Sequence, residues 1–172
     1  LDIQFRNVHG KEDTMITVQI DFSLPDRFDM TFIDKDNQKK RPYVIHRTSI
    51  GCYERTLAML IEKYAGAFPT WMAPVQVKVL PIIDKQQAYA VTVANQLKKL
   101  GVRVDVDTRN EKIGYKIREA QLEKIPYMLV IGDKEMENNQ VAVRSRKEGD
   151  LGAMDVSAFI AKLTEEIESK AR

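Results

Sequence analysis

A proline-rich segment divides this chain into two stretches with different hydrophobic rhythms, and no other feature constrains the fold as much. Phe68 to Pro74 contains two prolines in seven positions, so it cannot form a regular helix. Before it, runs of alternating apolar and polar residues predict antiparallel strands. After it, strand-like and helix-like runs alternate, as in an α/β domain. We therefore predict a first domain at 1–66, a linker at 67–74 and a second domain at 75–172.

The composition fits a globular chain with a local, not a global, charge pattern. Of the 172 residues 44% are hydrophobic, and 27 basic side chains nearly balance 25 acidic ones, so any nucleic-acid surface must be a patch. The single cysteine, Cys52, excludes an intramolecular disulfide and indicates a reducing compartment, for which the cytoplasm is the default. No apolar run approaches the roughly 18 residues that cross a bilayer, so we expect no membrane partner. Leu1 to Arg6 reads as the middle of a strand in a longer protein.

The first half predicts an antiparallel sheet. Leu1 to Arg6 and Ile16 to Phe22 alternate in polarity on either side of a turn, at the spacing of a hairpin. Thr17, Gln19 and Asp21 then share one face of the sheet, which is either a solvated face or a binding face. The next segments read as a turn at 23–27, a strand at 28–33, a polar hairpin tip at 34–40 and an extended run at 41–45.

A helix opening predicted from His46 to Arg55 carries the functional side chains of this half. Gly51 would cost a helix roughly 1 kcal/mol relative to Ala, so a close backbone approach to another group explains it better. If the helix packs beside the Gln19 strand, Arg55 and the polar strand face converge on one cavity, where an arginine stacks on a purine or holds phosphate oxygens. A nucleotide fits that cavity. The alternative is a capped core helix with a solvated end.

A metal site in this half stays possible, whereas two kinds of nucleotide-binding enzyme are disfavoured. His46 is a possible metal ligand, but a lone histidine is more often a hydrogen-bonded structural group. Neither a P-loop nor a dinucleotide-binding glycine pattern is present in the sequence, which disfavours a Walker ATPase and a Rossmann dehydrogenase.

The second half predicts an α/β domain with a mixed sheet and the order β-α-β-α-β-β-α. Its helical segments have apolar residues at helical spacing, and its strand segments are short and rich in β-branched residues. Strands are predicted at 75–81, 102–107, 127–132 and 140–146, and helices at 84–100, 113–124 and 155–170.

Four segments also carry a resemblance to a known family. Val44 to Arg55 resembles motif 3 of class II aminoacyl-tRNA synthetases, and Ala65 to Val77 resembles the domain junction of threonyl-tRNA synthetases in particular. Asp107 to Arg118 and Ile125 to Glu135 are similar to signatures of the anticodon-binding domain of that family. The resemblance covers the whole chain. It implies a remnant of the class II antiparallel sheet with the motif 3 helix, followed by an α/β anticodon-binding domain.

The family activates threonine with ATP and esterifies the 3′ end of its tRNA, and the resemblance assigns residues to that reaction. Arg55 becomes the motif 3 arginine that packs on ATP, while Thr17 and Gln19 line the adenylate and amino-acid site. Gln19 and Arg55 are the catalytic candidates, and ATP with Mg is the implied cofactor. His46 becomes a zinc ligand whose partners, one Cys and a second His, lie outside this chain. Cys52 is not their equivalent.

The resemblance also assigns contacts with the anticodon of tRNA(Thr). Asn, Arg and Glu read the Watson–Crick edges of unstacked bases, and basic side chains neutralise phosphates. The alternative for each position is a solvated helix face or a charged turn. The assigned residues are Asn110, Arg118, Lys124, Glu135 and Arg144.

Two functions from different classes remain open at this point. The chain is either part of a threonine–tRNA ligase, a homodimer in its full-length form, or a stand-alone RNA-binding module that kept the anticodon-binding fold. The motif 3 resemblance favours the ligase, because an RNA-only module has no use for Arg55, Gln19 and His46 in register. Thr14 to Ile16 departs from the Gln-Cys-Gly commonly found before Thr17, as in a divergent branch. Motifs 1 and 2 and two zinc ligands are missing, so we predict that these residues alone neither form threonyl-adenylate nor hold zinc tightly.

Overall fold

The computed structural model describes residues 1–171, and the chain divides into two compact units, Leu1–Lys63 and Tyr64–Arg172. We call them unit 1 and unit 2. The segment 67–74 lies in unit 2, where Thr70 and Ala73 are buried. The domain limits given above stay predictions. No described helix is both long enough and apolar enough to span a bilayer.

Unit 1 contains a three-stranded antiparallel sheet of order β1-β2-β5 and a separate two-stranded ladder formed by β3 and β4. The predicted first hairpin is confirmed, although its second strand begins at Glu12 and not at Ile16; Asp2 lies opposite Thr17 and Arg6 opposite Glu12. The elements are β1 (Asp2–Arg6), β2 (Glu12–Asp21), α1 (Ser23–Arg27), β3 (Phe32–Ile33), β4 (Lys39–Lys40), β5 (Val44–Arg47) and α2 (Tyr53–Tyr64).

The segment after β2 differs from the prediction. The predicted turn at 23–27 is the short helix α1, and the predicted strand at 28–33 is reduced to β3. Asp21 Oδ1 accepts hydrogen bonds from the backbone N–H groups of Ser23 and Leu24 at 2.8 and 2.9 Å, which starts a helical turn. Asp29 has a φ of +48°, a value that interrupts an extended strand.

The predicted helix opening is also corrected, since α2 begins only at Tyr53. His46 lies on strand β5, and Gly51 lies in the loop between β5 and α2, not inside a helix. The predicted close approach at Gly51 is confirmed. Its φ is +73°, and a Cβ atom there would lie 2.2 Å from the backbone oxygen of Met15. The glycine is therefore required by contact with strand β2.

Unit 1 leaves much of its apolar surface exposed. Pro25 is the one buried residue between Leu1 and Lys63, and α2 contains none. On α2, Tyr53 is 77% exposed and Leu57 is 54% exposed. Such a helix face is normally covered in a globular domain.

Unit 2 has a five-stranded mixed sheet of order β10-β9-β8-β6-β7. Strand β6 is parallel to both β7 and β8, whereas β8, β9 and β10 are antiparallel. The elements are β6 (Val77–Pro81), a 3-10 turn (Asp84–Gln86), α3 (Gln87–Lys99), β7 (Val104–Val106), α4 (Ile113–Leu122), β8 (Tyr127–Ile131), α5 (Asp133–Asn138), β9 (Gln140–Ser145), β10 (Gly149–Asp155) and α6 (Val156–Glu168).

Alternation along the central strands separates two core clusters. Val79 and Leu129 belong to the cluster that also contains buried side chains of α3 and α6. Leu80 and Met128 belong to the second cluster, together with Ala120 of α4. Helices therefore cover both faces of the sheet, as the prediction of an α/β domain requires. We call the side that carries α4 the α4 face.

The predicted order β-α-β-α-β-β-α is confirmed, with two elements added. Helix α5 lies between β8 and β9, and strand β10 follows β9. The residues of α5 are mostly charged or polar and show no apolar period. Strand β10 contains Gly149 and Gly152, both with positive φ, and its register shifts beside Gly152. Glycines in a sequence usually indicate turns, so this segment was not predicted as a strand. In the structure its pairing with β9 makes it one.

Candidate nucleotide and anticodon sites

The predicted polar face of β2 also carries His46. In the antiparallel register Gln19 lies directly opposite His46 of β5, and directly opposed side chains lie on the same face of a sheet. Thr17 and Asp21 share this face by alternation. The Thr17 N–H donates to Thr48 Oγ1 at 3.0 Å, and the Thr17 hydroxyl oxygen is buried without a hydrogen-bond partner among the described residues. Three of the residues assigned to the adenylate and zinc sites therefore lie together.

His46 is held by a carboxylate. Its Nε2 atom lies 3.1 Å from Asp21 Oδ2, and the two side chains are 48% and 27% exposed. The backbone N–H of Leu24, followed by the His46 imidazole, holds the pKa of Asp21 below its usual value. The carboxylate therefore stays ionised and orients the imidazole, which leaves Nδ1 for another contact.

Arg55 reaches β2 but not the side chain of Gln19. Its Nη1 atom donates to the backbone oxygen of Thr14 at 2.9 Å, and the arginine is exposed at the start of α2. The Gln19 side chain is exposed and makes no hydrogen bond among the described residues. A cavity of about 380 Å³ in unit 1 is lined by other residues, including Phe5 and Met59. The predicted convergence of Arg55 and the strand face on one cavity stays a prediction.

Two of the predicted anticodon contacts are free on the surface of unit 2. Asn110 is exposed in the loop 107–112, which joins β7 to α4. Arg118 is exposed on α4, whose buried residues Lys116 and Ala120 point toward the sheet. Both residues are able to contact a ligand on the outer side of α4.

Arg144 lies on the α4 face of the sheet. It is directly opposite Met128 of β8, which packs in the same cluster as Ala120 of α4. Its guanidinium is 36% exposed and forms an ion pair of 3.2 Å with Asp150 of β10. The structure thus places Arg144 and Arg118 on one side of unit 2.

Lys124 and Glu135 have structural partners that the sequence analysis did not assign. The Lys124 ammonium donates to the backbone oxygen of Ala65, and its own backbone oxygen accepts from Arg146. Glu135 Oε2 accepts from the backbone N–H of Gly132 at 2.9 Å and so caps the first turn of α5. Their contacts with the anticodon stay predictions.

Sequence reasoning missed a polar network that fastens α4 to the ends of two strands. Asp107, whose side chain is 2% exposed, pairs with Arg109 at 2.6 Å, and Arg109 also pairs with Glu119 at 2.5 Å. The buried Lys116 ammonium donates to the backbone oxygens of Pro81 and Asp107, both at 3.1 Å. The Asp-x-Arg spacing at the end of a predicted strand was the available signal, because an arginine two residues on can fold back on the aspartate.

A second polar cluster lies against α6, where Tyr127 and Thr70 each donate to Glu166 at 2.6 Å. Burial raises the pKa of Tyr127, and the hydrogen bond to Glu166 raises it further. These groups line a cavity of about 310 Å³ whose polar side chains are largely paired with one another.

The anticodon binding domain family matches residues 76–166, which include the loop 107–112, α4 and Arg144. The chain belongs to this family. The class II tRNA synthetase core domain (G, H, P, S and T) matches residues 2–64, which include the β2 face and α2. We refer to unit 2 as the anticodon-binding domain from here on.

Individual proteins similar to this chain have names that match the predicted resemblance. The chain is 66% identical over 172 residues to a threonine–tRNA ligase of Clostridium botulinum. This match covers 100% of the chain and 27% of that protein. It is 65% identical to a threonine–tRNA ligase of Clostridium perfringens, over 99% of this chain and 26% of that protein. The solved RNA binding domain of threonyl-tRNA synthetase from Cryptosporidium parvum Iowa II is 34% identical, with a TM-score of 0.81, over 96% of this chain and 42% of that one. The predicted resemblance to threonyl-tRNA synthetases is confirmed, and the chain spans about a quarter of the curated relatives' length.

Proposed function

We propose that this chain is the C-terminal part of a threonine–tRNA ligase, and that its anticodon-binding domain recognises the anticodon of tRNA(Thr). The observation that carries the proposal is the exposure of Asn110 in the loop before α4 and of Arg118 on α4, with Arg144 on the side of the sheet that α4 covers. Amide and guanidinium groups donate to base edges, and a cationic group also attracts phosphate. The family match over residues 76–166 supports the same surface.

Direct binding of the 172-residue chain to RNA tests this proposal. We expect it to bind an anticodon stem-loop of tRNA(Thr) more tightly than the same stem-loop with an exchanged anticodon. Arg118→Ala and Asn110→Ala should each reduce that preference, because a lost base contact typically costs about 1–3 kcal/mol. Lys99→Ala is the control, since Lys99 is exposed at the end of α3 on the opposite side of the sheet. Equal affinity for the two stem-loops, or an unchanged preference in both variants, would overturn the assignment.

We also propose that unit 1 contributes Thr17, Gln19 and Arg55 to the site for ATP with Mg and threonine. The match of the class II core domain to residues 2–64 supports this role, as does the shared strand face of Thr17 and Gln19. Bound ATP supplies the activated phosphate that joins the threonine carboxylate. In this proposal Gln19 donates hydrogen bonds to the adenylate, and the planar, permanently charged Arg55 stacks on the base.

The residues of unit 1 fit one ligand position of a zinc site. His46 is exposed, and its carboxylate partner Asp21 is typical of the groups that orient a metal-bound imidazole. Within residues 1–171 no group of three His, Cys, Asp or Glu side chains could hold a metal ion. In the proposed ligase the zinc would contact the amino and hydroxyl groups of threonine, with His46 as one of its ligands.

The ligase is favoured over a stand-alone RNA-binding module because the class II core domain matches the whole of β1 to α2. We propose that the full-length ligase is a cytoplasmic homodimer, and that the 172-residue chain alone does not form threonyl-adenylate. An ATP–pyrophosphate exchange assay with threonine checks this directly. Turnover above background by the isolated chain would contradict the expectation of inactivity.

A further inference from the structure

One ion pair joins the two segments that carry the proposed base contacts. Arg109 Nη2 lies 2.5 Å from Glu119 Oε2. Asn110 directly follows Arg109 in the loop 107–112, and Arg118 directly precedes Glu119 on α4. The length of this ion pair therefore limits the distance between Asn110 and Arg118.

The loop end of this ion pair is rigid because Arg109 is bound by Asp107, which is itself held by several hydrogen bonds. Its carboxylate accepts from Arg109 Nε at 2.9 Å and from Nη2 at 2.6 Å, and Oδ1 also accepts the Arg109 backbone N–H at 3.1 Å. Its own backbone N–H donates to Val79 at 3.0 Å, and its backbone oxygen accepts from the buried Lys116 ammonium at 3.1 Å. A forked arginine–carboxylate pair fixes orientation as well as distance.

The helix end of this ion pair is Glu119 of α4. Glu119 is 28% exposed, and the neighbouring Tyr115 hydroxyl, followed by the Arg109 guanidinium, keeps its pKa below the usual value. Glu119 is therefore ionised at neutral pH. Tyr115 lies one helical turn before Glu119 on the same side of α4.

We propose that Arg109 is a positioning residue that sets the spacing of Asn110 and Arg118 for reading the anticodon. This inference rests on the proposed function of the anticodon-binding domain. The competing role for Arg109 is direct contact with an RNA phosphate, since its side chain is 49% exposed. A phosphate contact adds affinity for every RNA without adding sequence preference.

Glu119→Gln separates the two roles because they predict changes of opposite sign. If Arg109 positions the base contacts, loss of the carboxylate loosens the loop, and the preference for the tRNA(Thr) stem-loop over the exchanged one falls roughly 10-fold. If Arg109 contacts phosphate, removal of a neighbouring acid strengthens binding of both stem-loops and leaves the preference unchanged. Glu111→Gln is the matched control, because it removes the same charge from an exposed residue of the same loop.

Three further measurements complete the test. Fluorescence of Trp71, the single tryptophan, reports whether the anticodon-binding domain of each variant remains folded. If Glu119→Gln does not fold, Glu119→Asp keeps the charge but shortens the side chain by one methylene group, so it lengthens the ion pair with Arg109 and should lower the preference in the same direction by less. The dependence of affinity on salt should match wild type in either variant, since no phosphate contact is lost.

A preference that is unchanged or higher in the folded Glu119→Gln or Glu119→Asp variant overturns the positioning role and leaves the proposed function intact. A wild-type chain that does not distinguish the two stem-loops removes both the proposed function and this inference. An equal fall in the preference of Glu111→Gln would also overturn the positioning role of Arg109, because the effect would then follow the loss of charge and not the loss of the ion pair.

Discussion

Replacement of Asp107 by Asn should destabilise the anticodon-binding domain through the loss of one charged hydrogen bond. Asp107→Asn keeps the shape of the side chain, which is 2% exposed. Its amide oxygen can still accept from Arg109 Nε and from the Arg109 backbone N–H. The amide nitrogen, however, would face Arg109 Nη2, which now lies 2.6 Å from Asp107 Oδ2, so two donors would meet.

The size of the effect follows from these contacts. A hydrogen bond to a charged group contributes about 1.5–3 kcal/mol to stability. An unpaired buried charge would cost more, but Arg109 is 49% exposed and keeps Glu119 as a partner. Water and Glu119 therefore relieve most of that penalty, and we expect a loss of about 2 kcal/mol in the free energy of unfolding.

The dependence of this loss on pH provides a second check. Hydrogen bonds from the Arg109 guanidinium hold the pKa of Asp107 below its usual value. A carboxylate whose pKa is depressed by folding stabilises the protein above its unfolded-state pKa of about 3.9, and that contribution is lost as the pH falls through the lower, folded-state pKa. The difference between wild type and Asp107→Asn should be constant from about pH 7 to pH 5 and should shrink below about pH 4.

Urea unfolding followed by Trp71 fluorescence measures both quantities, because Trp71 lies in the anticodon-binding domain. A loss of about 2 kcal/mol corresponds to a shift of roughly 1 M in the urea midpoint. Asp105→Asn is the control, since this carboxylate is 57% exposed and lies 4.0 Å from Lys78. The control should stay within about 0.5 kcal/mol of wild type. An Asp107→Asn variant as stable as the control at pH 7, or a difference that does not shrink in acid, would refute the reasoning.

Two further substitutions have defined outcomes. Gly51→Ala should increase the rate of limited proteolysis within residues 1–63, because the new Cβ would lie 2.2 Å from a backbone oxygen of β2 and φ is +73°. Gly10→Ala, with a φ of +77° but nothing within 4 Å, bears only the backbone penalty of about 1–2 kcal/mol, so equal cleavage of the two variants would contradict the close approach. Glu166→Gln should lower the pKa of Tyr127, measured by alkaline ultraviolet titration with Tyr127→Phe to assign the signal. An unchanged Tyr127 titration would show that burial alone raises its pKa.

Much of the fold follows from local patterns in the sequence. Alternation on either side of Gly10 predicted the β1–β2 hairpin, and apolar residues at helical spacing predicted α3, α4 and α6. The close backbone approach at Gly51 was also indicated by the sequence, because only a residue without a side chain fits there. The elements of unit 2 that the sequence did not predict, α5 and β10, lack such patterns. Their residues are charged or glycine-rich, and they are held by contacts with neighbouring strands.

Residue identities were enough to assign the resemblance to threonyl-tRNA synthetases, since the segments that carry it are contiguous in the chain. Contiguous segments also contain Asn110 and Arg118, which the structure places on the surface. Lys124 and Glu135 show the limit of that reasoning. Both have the expected chemistry, yet both are engaged within the protein. Lys124 makes a tertiary contact with Ala65, which is set by the path of the chain, whereas Glu135 makes a local contact with Gly132 as the cap of α5.

Sequence alone therefore determined the family and the order β-α-β-α-β-β-α of the main elements of the second half, because periodicity and motifs are properties of neighbouring residues. Tertiary structure decided which side chains meet. The opposition of Gln19 and His46 depends on strand register, and the ion pair between Arg109 and Glu119 depends on how the loop 107–112 returns the chain onto α4. A shift of one residue would turn Gln19 to the other face of its sheet, while leaving every local pattern unchanged.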